Sequence, residues 1–495
     1  MKILFDGFAA HERTADLAIW PVFKGAGWKR IPDDTLLFVS SAEHFEGGFG
    51  EWVVLPTLNR FKARKFAVMG MGEKSAFDAD AMRRLGANII KRAKETKAKT
   101  LRISFSLSSF GELSVREAGQ ALAEGMILAG YGFHSYHAKN AEKAKNQSVV
   151  SVTIAELSAS DQIKFSRGCA DAEAVCSGVL IARDLVNTPS MDMFPLAMAE
   201  AATRVADRSK RISIKILDRS RMERMKMQAA LSVARGSEHE PVGVHMVYKP
   251  AGKAKKRIVI VGKAVTFDSG GLSIKPADGM MTMKMDMAGG ASVIGLFRAL
   301  ADIDVDAEVH GIFLAVENMP SGNAYRPGDV VRAMNGTTIE ILNTDAEGRV
   351  VLADALCYAQ TLEPDAIIDL ATLTGACIVA LGEDIAGLMT NDRKLADRIL
   401  AAADESGEPI WELPMYTPYE EHVKSRIADI KNIGARGQAG TIAGAMFLKH
   451  FVGSTPWVHL DIAGPAYTER ESRPDLPAGA TGFGVRTLVR YLQGL

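Results

Sequence analysis

The sequence predicts two α/β domains: a smaller N-terminal domain, and a larger C-terminal domain whose central, mostly parallel sheet is flanked by helices. Three observations support this prediction. Strand-like runs alternate with helical segments along the chain, as they do in α/β proteins. The run 258–261 is continuously apolar and bounded by charge and glycine, which is typical of a strand buried on both faces of a parallel sheet. The length of 495 residues allows about two to four domains at about 150 residues each.

The N-terminal α/β domain is predicted to span residues 1–160. Apolar runs with β-branched residues indicate its strands, and apolar residues at helical spacing indicate its helices. The predicted strands are 35–40, 65–69, 100–105 and 148–154, and the predicted helices are 78–96 and 114–129.

Residues 161–187 are predicted to form a connecting helix. The segment 163–185 is rich in alanine, which favours helix. The sequence Asn-Thr-Pro-Ser at 187–190 is expected to end it, because proline biases the preceding residue away from helical geometry.

The C-terminal domain is predicted to span residues 188–495. Its predicted strands are 212–217, 257–261, 307–316, 337–342, 366–370 and 457–462. The predicted helix 291–302 follows Gly289-Gly290 and is expected to cover one face of the sheet. Ligands in open α/β sheets gather at the carboxyl ends of the strands, so the polar residues there are the candidates for function.

The first candidate cluster is the stretch 343–349, which reads Asn-Thr-Asp-Ala-Glu-Gly-Arg and follows the predicted strand 337–342. If the extended chain continues, Asp345, Glu347 and Arg349 face one small volume, because alternate residues of a strand point the same way. Two adjacent acids repel each other unless a cation or a shared proton offsets them. The cluster therefore indicates a metal site, and a solvated turn is the alternative for these residues taken alone.

A second cluster follows the predicted strand 257–261. Lys263 is expected near the end of that strand, Asp268 in the Gly-rich loop beyond it, and Lys275 and Asp286 further along. The three aspartates and one glutamate of the two clusters carry too much charge for one divalent ion, whereas two ions that share carboxylates balance it better. Oxygen ligands and one neutral lysine amine suit magnesium, manganese or zinc and do not choose among them.

Together, the stretches 343–349 and 263–271 resemble the leucyl aminopeptidase family, the M17 metallopeptidases. The resemblance covers roughly 183–486 and includes the segments 183–190, 371–377, 457–464 and 479–486. It implies a metallo-exopeptidase that removes the N-terminal residue, preferably leucine-like, from peptides with a free N-terminus. Two positions depart from the family pattern: Ala264 and Gly290 stand where glycine and alanine are expected. Neither is a ligand, so the departures concern local packing.

The resemblance also implies a role for each candidate metal ligand. Asp268 and Glu347 bridge two divalent cations, either manganese or zinc, with magnesium as a further option. Lys263 and Asp286 complete the tighter site, and Asp345 completes the more exchangeable one.

The remaining implied roles concern catalysis and substrate binding. Lys275 polarises the scissile carbonyl, and Arg349 holds a bicarbonate ion as general base for attack by a metal-bridging water. Met283, Thr372 and Gly375 line the pocket for the first side chain of the substrate. From the residues alone, Arg349 could instead pair with the preceding acids, and the alternating methionines around Met283 could serve packing.

Charge and composition bear on partners. The 59 basic and 59 acidic residues balance, so no global field recruits nucleic acid. The basic runs 91–99, 139–145 and 249–257 are read as solvated faces. Nucleic acid and membrane are therefore not expected as partners. Two other functions stay open: a DNA-binding architectural relative of the family, and another two-metal hydrolase.

A cytoplasmic location is expected. The four cysteines form no Cys-x-x-Cys pair, which indicates buried thiols in a reducing compartment. The N-terminal run 1–6 is too short in apolar residues for a signal peptide, and no stretch of the chain approaches membrane-spanning length. The resemblance further implies a homohexamer.

Overall fold

The computed structural model describes residues 1–25, 45–57, 59, 61–105, 110–137 and 149–495. Two compact units are present. The first consists of Met1–Cys176 and Glu471–Pro477, and the second of Ser177–Arg470 and Ala478–Leu495. The predicted strand 35–40 and the basic run 139–145 lie outside the described residues. No helix in the described part combines the length and the apolar character needed to cross a bilayer.

The first unit is built on a six-stranded sheet. Its strands are β1 (Lys2–Phe5), β2 (Leu17–Val22), β3 (Trp52–Pro56), β4 (Lys65–Gly70), β5 (Thr100–Ser104) and β6 (Ser151–Ala155). They are arranged in the order β1-β6-β5-β2-β4-β3, and only the edge strand β3 is antiparallel to its neighbour. The predicted strands 65–69, 100–105 and 148–154 are confirmed as β4, β5 and β6.

Two helices of this unit begin where the sequence provides caps. They are α1 (Ala79–Glu95) and α2 (Val115–Gly130). The side chain of Asp78 accepts a hydrogen bond from the backbone N–H of Ala81, and Ser114 forms a capping box with Glu117. These bonds satisfy N–H groups that have no partner within the helix, and they confirm both predicted helices. The long helix α3 (Ala159–Asn187) follows.

The second unit contains the larger sheet. Its strands are β7 (Ile212–Leu217), β8 (Val242–Tyr248), β9 (Lys256–Asp268), β10 (Ala307–Asn318), β13 (Ala366–Ala371), β14 (Ala386–Thr390), β15 (Ile410–Glu412) and β17 (Trp457–Asp461). They are arranged in the order β15-β14-β17-β13-β9-β10-β8-β7. The central strands β17, β13, β9 and β10 are mutually parallel, and antiparallel pairs occur only toward the edges. The central, mostly parallel sheet is confirmed.

The remaining elements of the second unit are helices and short strands. The helices are α4 (Pro195–Ala206), α5 (Arg219–Arg224), α6 (Gln228–Ala234), α7 (Ala277–Met280), α8 (Ala288–Leu300), α9 (Glu347–Gln360), α10 (Gly375–Leu381), α11 (Arg393–Ser406), α12 (Gly440–Lys449) and α13 (Val485–Gln493). The short strands are β11 (Val330–Arg332), β12 (Thr338–Glu340), β16 (Ile430–Lys431), β18 (Tyr467–Thr468) and β19 (Gly479–Ala480). The four cysteines of the chain are free and buried, as the sequence predicts.

Strand β9 is much longer than the prediction of 257–261. Lys263 therefore lies inside the strand, and Asp268 is its last residue rather than part of the following loop. Gly262 does not end the strand, because it stays in register with Phe313 of β10. Its missing side chain instead admits the backbone of α8, since a Cβ at Gly262 would lie 2.4 Å from the carbonyl oxygen of Gly289.

A register shift near the end of β9 decides where Asp268 points. Val265 pairs with Val316 of β10, and Asp268 pairs with Asn318. Three steps along β9 thus match two steps along β10, so β9 carries one extra residue, as in a β-bulge. In a regular strand, Lys263 and Asp268 would face opposite sides because they are five residues apart. The extra residue returns Asp268 to the face of Lys263.

The extended chain expected for residues 343–349 is not found, so the strand-alternation argument for these residues is wrong. Strand β12 ends at Glu340, and α9 begins at Glu347. The side chain of Asn432 accepts the backbone N–H of Leu342 in place of a neighbouring strand. The Asn343 side chain then accepts the backbone N–H of Asp345, which is an Asx turn. Side-chain acceptors thus replace the strand pairing and turn the chain into the helix.

The two positions that depart from the family pattern touch each other. A Cβ added to Gly290 in α8 would lie 2.9 Å from the Cβ of Ala264 in β9. Such a separation is too short for two carbon atoms, so only one of the two positions has room for a methyl group. Relative to the family pattern, the one methyl group at this contact is carried by position 264 instead of position 290, and it still fills the contact.

This contact predicts strong coupling between the two positions. We expect the Gly290→Ala variant to lower the free energy of unfolding by about 1–3 kcal/mol through overpacking. The double variant Ala264→Gly/Gly290→Ala is expected to be less destabilised than the sum of the two single variants by about 1 kcal/mol or more. Urea unfolding of the four proteins measures this difference. Additive effects of the two substitutions would contradict the contact.

Candidate metal centre

The first half of the candidate centre is a lysine between two buried carboxylates. The Nζ of Lys263 lies 2.7 Å from Asp286 Oδ1 and 2.9 Å from Glu347 Oε1. It also donates to the carbonyl oxygen of Thr372 at 2.9 Å. Lys263, Asp286 and Glu347 are 3%, 3% and 1% exposed, so water contributes little to their charge balance. The ammonium group and the two carboxylates are therefore stabilised mainly by their attraction to one another.

The second half has the same composition nearer to the surface. The Nζ of Lys275 lies 2.9 Å from Asp268 Oδ2 and 2.5 Å from Asp345 Oδ1. The side chain of Asp345 is 31% exposed, and that of Asp268 only 3%. Asp345 is thus the more exposed carboxylate of this half.

Three residues that the sequence analysis did not single out hold the two clusters together. The side-chain amide of Asn318 donates to Asp268 Oδ1 at 2.8 Å and to the carbonyl oxygen of Thr344 at 3.0 Å. The Tyr325 hydroxyl donates to the same carbonyl. The Thr344 hydroxyl donates to the carbonyl oxygen of Gly270. Asn318 ends β10, so the rule that ligand-binding residues lie at the carboxyl ends of strands was the available signal.

The pKa shifts follow from burial and from these ion pairs. Burial works against the charge of Lys263, but Asp286, Glu347 and Asp268 outweigh it and raise the pKa of its ammonium group. Burial likewise opposes the charge of Lys275, and Asp268 and Asp345 raise its pKa. Burial raises the pKa of Asp286 well above its ordinary value. The positive charge of the two lysines therefore does not fully offset the negative charge of the carboxylates.

The residues fit divalent cations. Asp268, Asp286 and Glu347 each offer a carboxylate oxygen within 4.8 Å of the others. Asp286 Oδ2 and Glu347 Oε2 are buried and have no hydrogen-bond partner in the described part of the chain, although a buried acceptor without a partner is costly. Four carboxylates face only two lysines. Cations placed among these oxygens would supply partners for the two unpaired oxygens and would also offset the excess negative charge.

Lys263 fits the centre in either of two states. As an ammonium group it neutralises Asp286 and Glu347, and as a neutral amine it could serve as a ligand, because only the neutral form has a free lone pair. Gly348 keeps its side chain in place. A Cβ at that position would lie 2.3 Å from Lys263 Cε and 2.5 Å from its Nζ.

Arg349 is not drawn into the carboxylate cluster. It is buried in the first turn of α9 and forms no ion pair within 4.0 Å among the described residues, so the alternative of pairing with the preceding acids is not what the structure has. Its Nε has no hydrogen-bond partner there either. Burial lowers the pKa of its guanidinium group. A buried guanidinium with a free donor suits an anion.

The candidate pocket residues border the centre. The Thr372 hydroxyl donates to Asp286 Oδ1 at 2.8 Å. Met283 begins the short 3-10 turn that leads into Asp286 and is half-buried. Gly375 is exposed, and a Cβ at this position would meet no atom within 4 Å. Thr372 and Met283 therefore lie beside the acidic cluster, whereas Gly375 lies at the surface.

Comparison with protein families gives two matches. The model described as the catalytic domain of the cytosol aminopeptidase family matches residues 180–489. The model described as the N-terminal domain of the same family matches residues 29–140. The two matches together cover most of the chain.

Individual proteins show the same similarity. A probable cytosol aminopeptidase of Microcystis aeruginosa is 45% identical over 454 residues, which cover 91% of this chain and 89% of the relative. A probable cytosol aminopeptidase of a Cyanothece strain is 43% identical and covers 93% of this chain and 92% of the relative.

Solved structures are also similar over nearly the whole chain. A mutant of tomato leucine aminopeptidase has a TM-score of 0.88 at 35% identity and covers 100% of this chain and 97% of its own. The bottromycin maturation enzyme BotP in complex with Mn has a TM-score of 0.86 at 33% identity and covers 97% of this chain and 99% of its own.

The contact between Gly348 and Lys263 predicts that a methyl group at position 348 changes metal binding. In a Gly348→Ala variant, the added methyl displaces the end of the Lys263 side chain and moves the amine away from Asp286 and Glu347, which leaves these buried acids without their cation and lowers the stability of the metal-free protein. We expect Mn²⁺ affinity to fall by about tenfold or more, as measured by calorimetric titration. The Gly130→Ala variant is the control, because a Cβ at that helical position meets no atom within 4 Å. Wild-type Mn²⁺ affinity in Gly348→Ala would contradict a role for the amine.

Proposed function

The chain belongs to the cytosol aminopeptidase family, and on that premise we propose that it is a two-metal enzyme that removes leucine-like N-terminal residues from peptides. The aminopeptidase activity is that of the family. The observation that carries the finer proposal is the convergence of Asp268, Asp286 and Glu347 within 4.8 Å. Such a buried acidic cluster fits a metallopeptidase centre.

The proposed ligands divide between two cations. Asp268 and Glu347 would bridge them, Lys263 and Asp286 would complete the inner site, and Asp345 would complete the outer one. The 31% exposure of the Asp345 side chain supports an outer site that exchanges its cation more readily. When bound, the two cations would activate a water nucleophile and polarise the scissile carbonyl.

Manganese and zinc are the proposed metals, with magnesium as the further option. Carboxylate oxygens accept all three. The Mn complex of BotP, a protein of the same architecture, supports manganese.

Lys275 is proposed to stabilise the oxyanion of the tetrahedral intermediate. Its ammonium group is held by Asp268 and Asp345 at the border of the acidic cluster. Those two carboxylates raise its pKa, so it stays charged and can donate through the remaining hydrogen of its ammonium group. A preorganised charged donor acts most strongly where negative charge develops in the transition state.

Arg349 is proposed to hold a bicarbonate ion that serves as general base. A guanidinium group binds a planar oxyanion through two parallel hydrogen bonds. Its buried location and the free Nε support an anion beside it. A bicarbonate ion at this place would take the proton of the attacking water. It would act in the place of a protein carboxylate, since none is assigned to that step.

The residues proposed to line the pocket for the first side chain support the proposed preference for leucine-like residues. Met283 supplies a flexible apolar wall, and Thr372 and Gly375 supply a wall without bulk. Peptides with a free N-terminus are the proposed substrates, because the acidic cluster favours an amine that either carries positive charge or coordinates a cation.

The structure offers little support for a DNA-binding role. The cations at one end of the basic run 249–257 are paired with acids: Lys255 with Asp306, Lys256 with Asp365, and Arg257 with Glu308. Paired cations contribute less to phosphate binding, which depends on the release of counterions by unpaired charge.

A cytoplasmic location and self-association into a homohexamer complete the proposal. The names of the relatives include the cytosol, which supports the location. Met191 and Trp411 are 79% and 65% exposed, and methionine and aromatic side chains are enriched at interfaces between proteins.

Capture of the free amine predicts that N-acetylation slows turnover strongly. Leucine p-nitroanilide should be hydrolysed by the Mn²⁺-loaded enzyme, and N-acetyl-leucine p-nitroanilide should be hydrolysed at least about a hundredfold more slowly, since the loss of positioning removes much of the rate. Release of nitroaniline measures both. Equal turnover of the two would rule out an exopeptidase that recognises the amine.

Oxyanion stabilisation by Lys275 predicts a loss of rate without a loss of metal. We expect Lys275→Met to lower kcat by about 10²–10³, the usual effect of removing one such donor. Metal content should stay at the wild-type value, because the substitution removes a cation that competes for Asp268 and Asp345. Lys255→Met, at a lysine paired with Asp306 on the surface, is the control. A wild-type kcat in Lys275→Met would contradict the assignment.

A further inference from the structure

Asp461 is a buried carboxylate without a role in the proposed chemistry. It is the last residue of β17, it is 0% exposed, and it pairs in register with Ala371 at the end of β13. It belongs to the segment 457–464, one of the stretches that carry the family resemblance. A buried carboxylate is costly unless hydrogen bonds compensate it.

Those hydrogen bonds come mainly from one loop. Asp461 Oδ2 accepts from the Thr374 hydroxyl at 2.6 Å, and Oδ1 accepts from the backbone N–H of Leu373 at 3.2 Å. Oδ1 also accepts from the backbone N–H of Ala463 at 3.2 Å. Two successive residues of the segment 372–375, here called the pocket loop, are thus bound to one carboxylate.

Thr374 fixes the far end of the pocket loop. Its hydroxyl oxygen accepts from the backbone N–H of Cys377 at 3.1 Å, which caps α10, and it lies 3.0 Å from the hydroxyl of Thr441 in α12. Because its hydroxyl has one hydrogen, donation to Asp461 leaves Thr441 as the donor in the second contact. The Thr374 side chain is thereby held in one orientation.

The other side of the pocket loop faces the candidate centre. Thr372 accepts from Lys263 with its carbonyl oxygen and donates to Asp286 with its hydroxyl. Gly375 is exposed. One loop therefore binds Asp461 through Leu373 and Thr374, and binds two of the metal-ligand candidates through Thr372.

We propose that Asp461 is a positioning residue for substrate selection, which acts through Leu373 and Thr374 to hold Thr372 and Gly375 at the wall of the pocket for the first side chain. This inference rests on the proposed function, since the pocket belongs to it. A carboxylate is suited to this task because both oxygens accept. An amide in its place would present a donor either to the N–H of Leu373 or to Thr374, whose hydroxyl would then have to accept and to turn its own hydrogen toward Thr441.

The test compares selectivity rather than activity alone. Leucine p-nitroanilide and alanine p-nitroanilide are assayed with the Mn²⁺-loaded wild type, Thr374→Val, Thr374→Ser and Asp461→Asn. Valine keeps the shape of threonine and loses the hydroxyl, whereas serine keeps the hydroxyl. Thr203→Val, at a threonine that donates to the carbonyl oxygen of Ala199 in α4, is the matched control.

We expect Thr374→Val and Asp461→Asn to lower the leucine-to-alanine ratio of kcat/KM by about tenfold, the scale on which apolar pockets discriminate. The loss should lie mainly in KM for the leucine substrate. Thr374→Ser and Thr203→Val should keep the wild-type ratio. Manganese content, measured by elemental analysis, should not change in any variant.

Three outcomes would overturn the inference. An unchanged ratio in Thr374→Val excludes control of selection through the hydroxyl, even if Asp461→Asn fails to fold. An equal loss for both substrates together with a loss of manganese means that the loop serves the metal ligands alone. A wild-type enzyme that hydrolyses neither anilide refutes the proposed function itself, and the inference with it.

Discussion

Repulsion among four carboxylates is the constraint that the rest of the second unit must satisfy. Asp268, Asp286, Asp345 and Glu347 come from three separate segments of the chain, and three of them are almost fully buried. Lys263 and Lys275 each bridge two of these acids. Without those cations the acids would have to take up protons or separate. The lysines let the fold form around a cluster that still has room for more positive charge.

The backbone provides the precision of the cluster. One extra residue in β9 turns Asp268 to the face of Lys263, and two glycines admit the neighbouring elements: Gly262 the start of α8, and Gly348 the end of the Lys263 side chain. Each feature lies at the carboxyl edge of the parallel strands or packs against it. The sheet therefore sets the position of the centre, and the loops add further residues to it.

Sequence reasoning succeeded where chemistry is encoded locally. The order of strands and helices followed from periodicity, and the acids and lysines stood out because such residues are rare in an apolar setting. It failed where an outcome depends on a distant partner. The extra residue of β9 is defined only against β10, and the turn after β12 depends on Asn432, about ninety residues away. Asn318 and Asp461 looked ordinary, since neither their burial nor their partners can be read from neighbouring residues.

The contact between Ala264 and Gly290, which has room for only one methyl group, also limits the order in which substitutions can arise at these two positions. Two glycines would leave a small void, which a protein tolerates at modest cost, whereas two alanines would collide. A lineage that crosses between the two arrangements must therefore give up one methyl before it acquires the other. The order of substitutions is set by steric exclusion, and the intermediate ancestor is the one with the looser core.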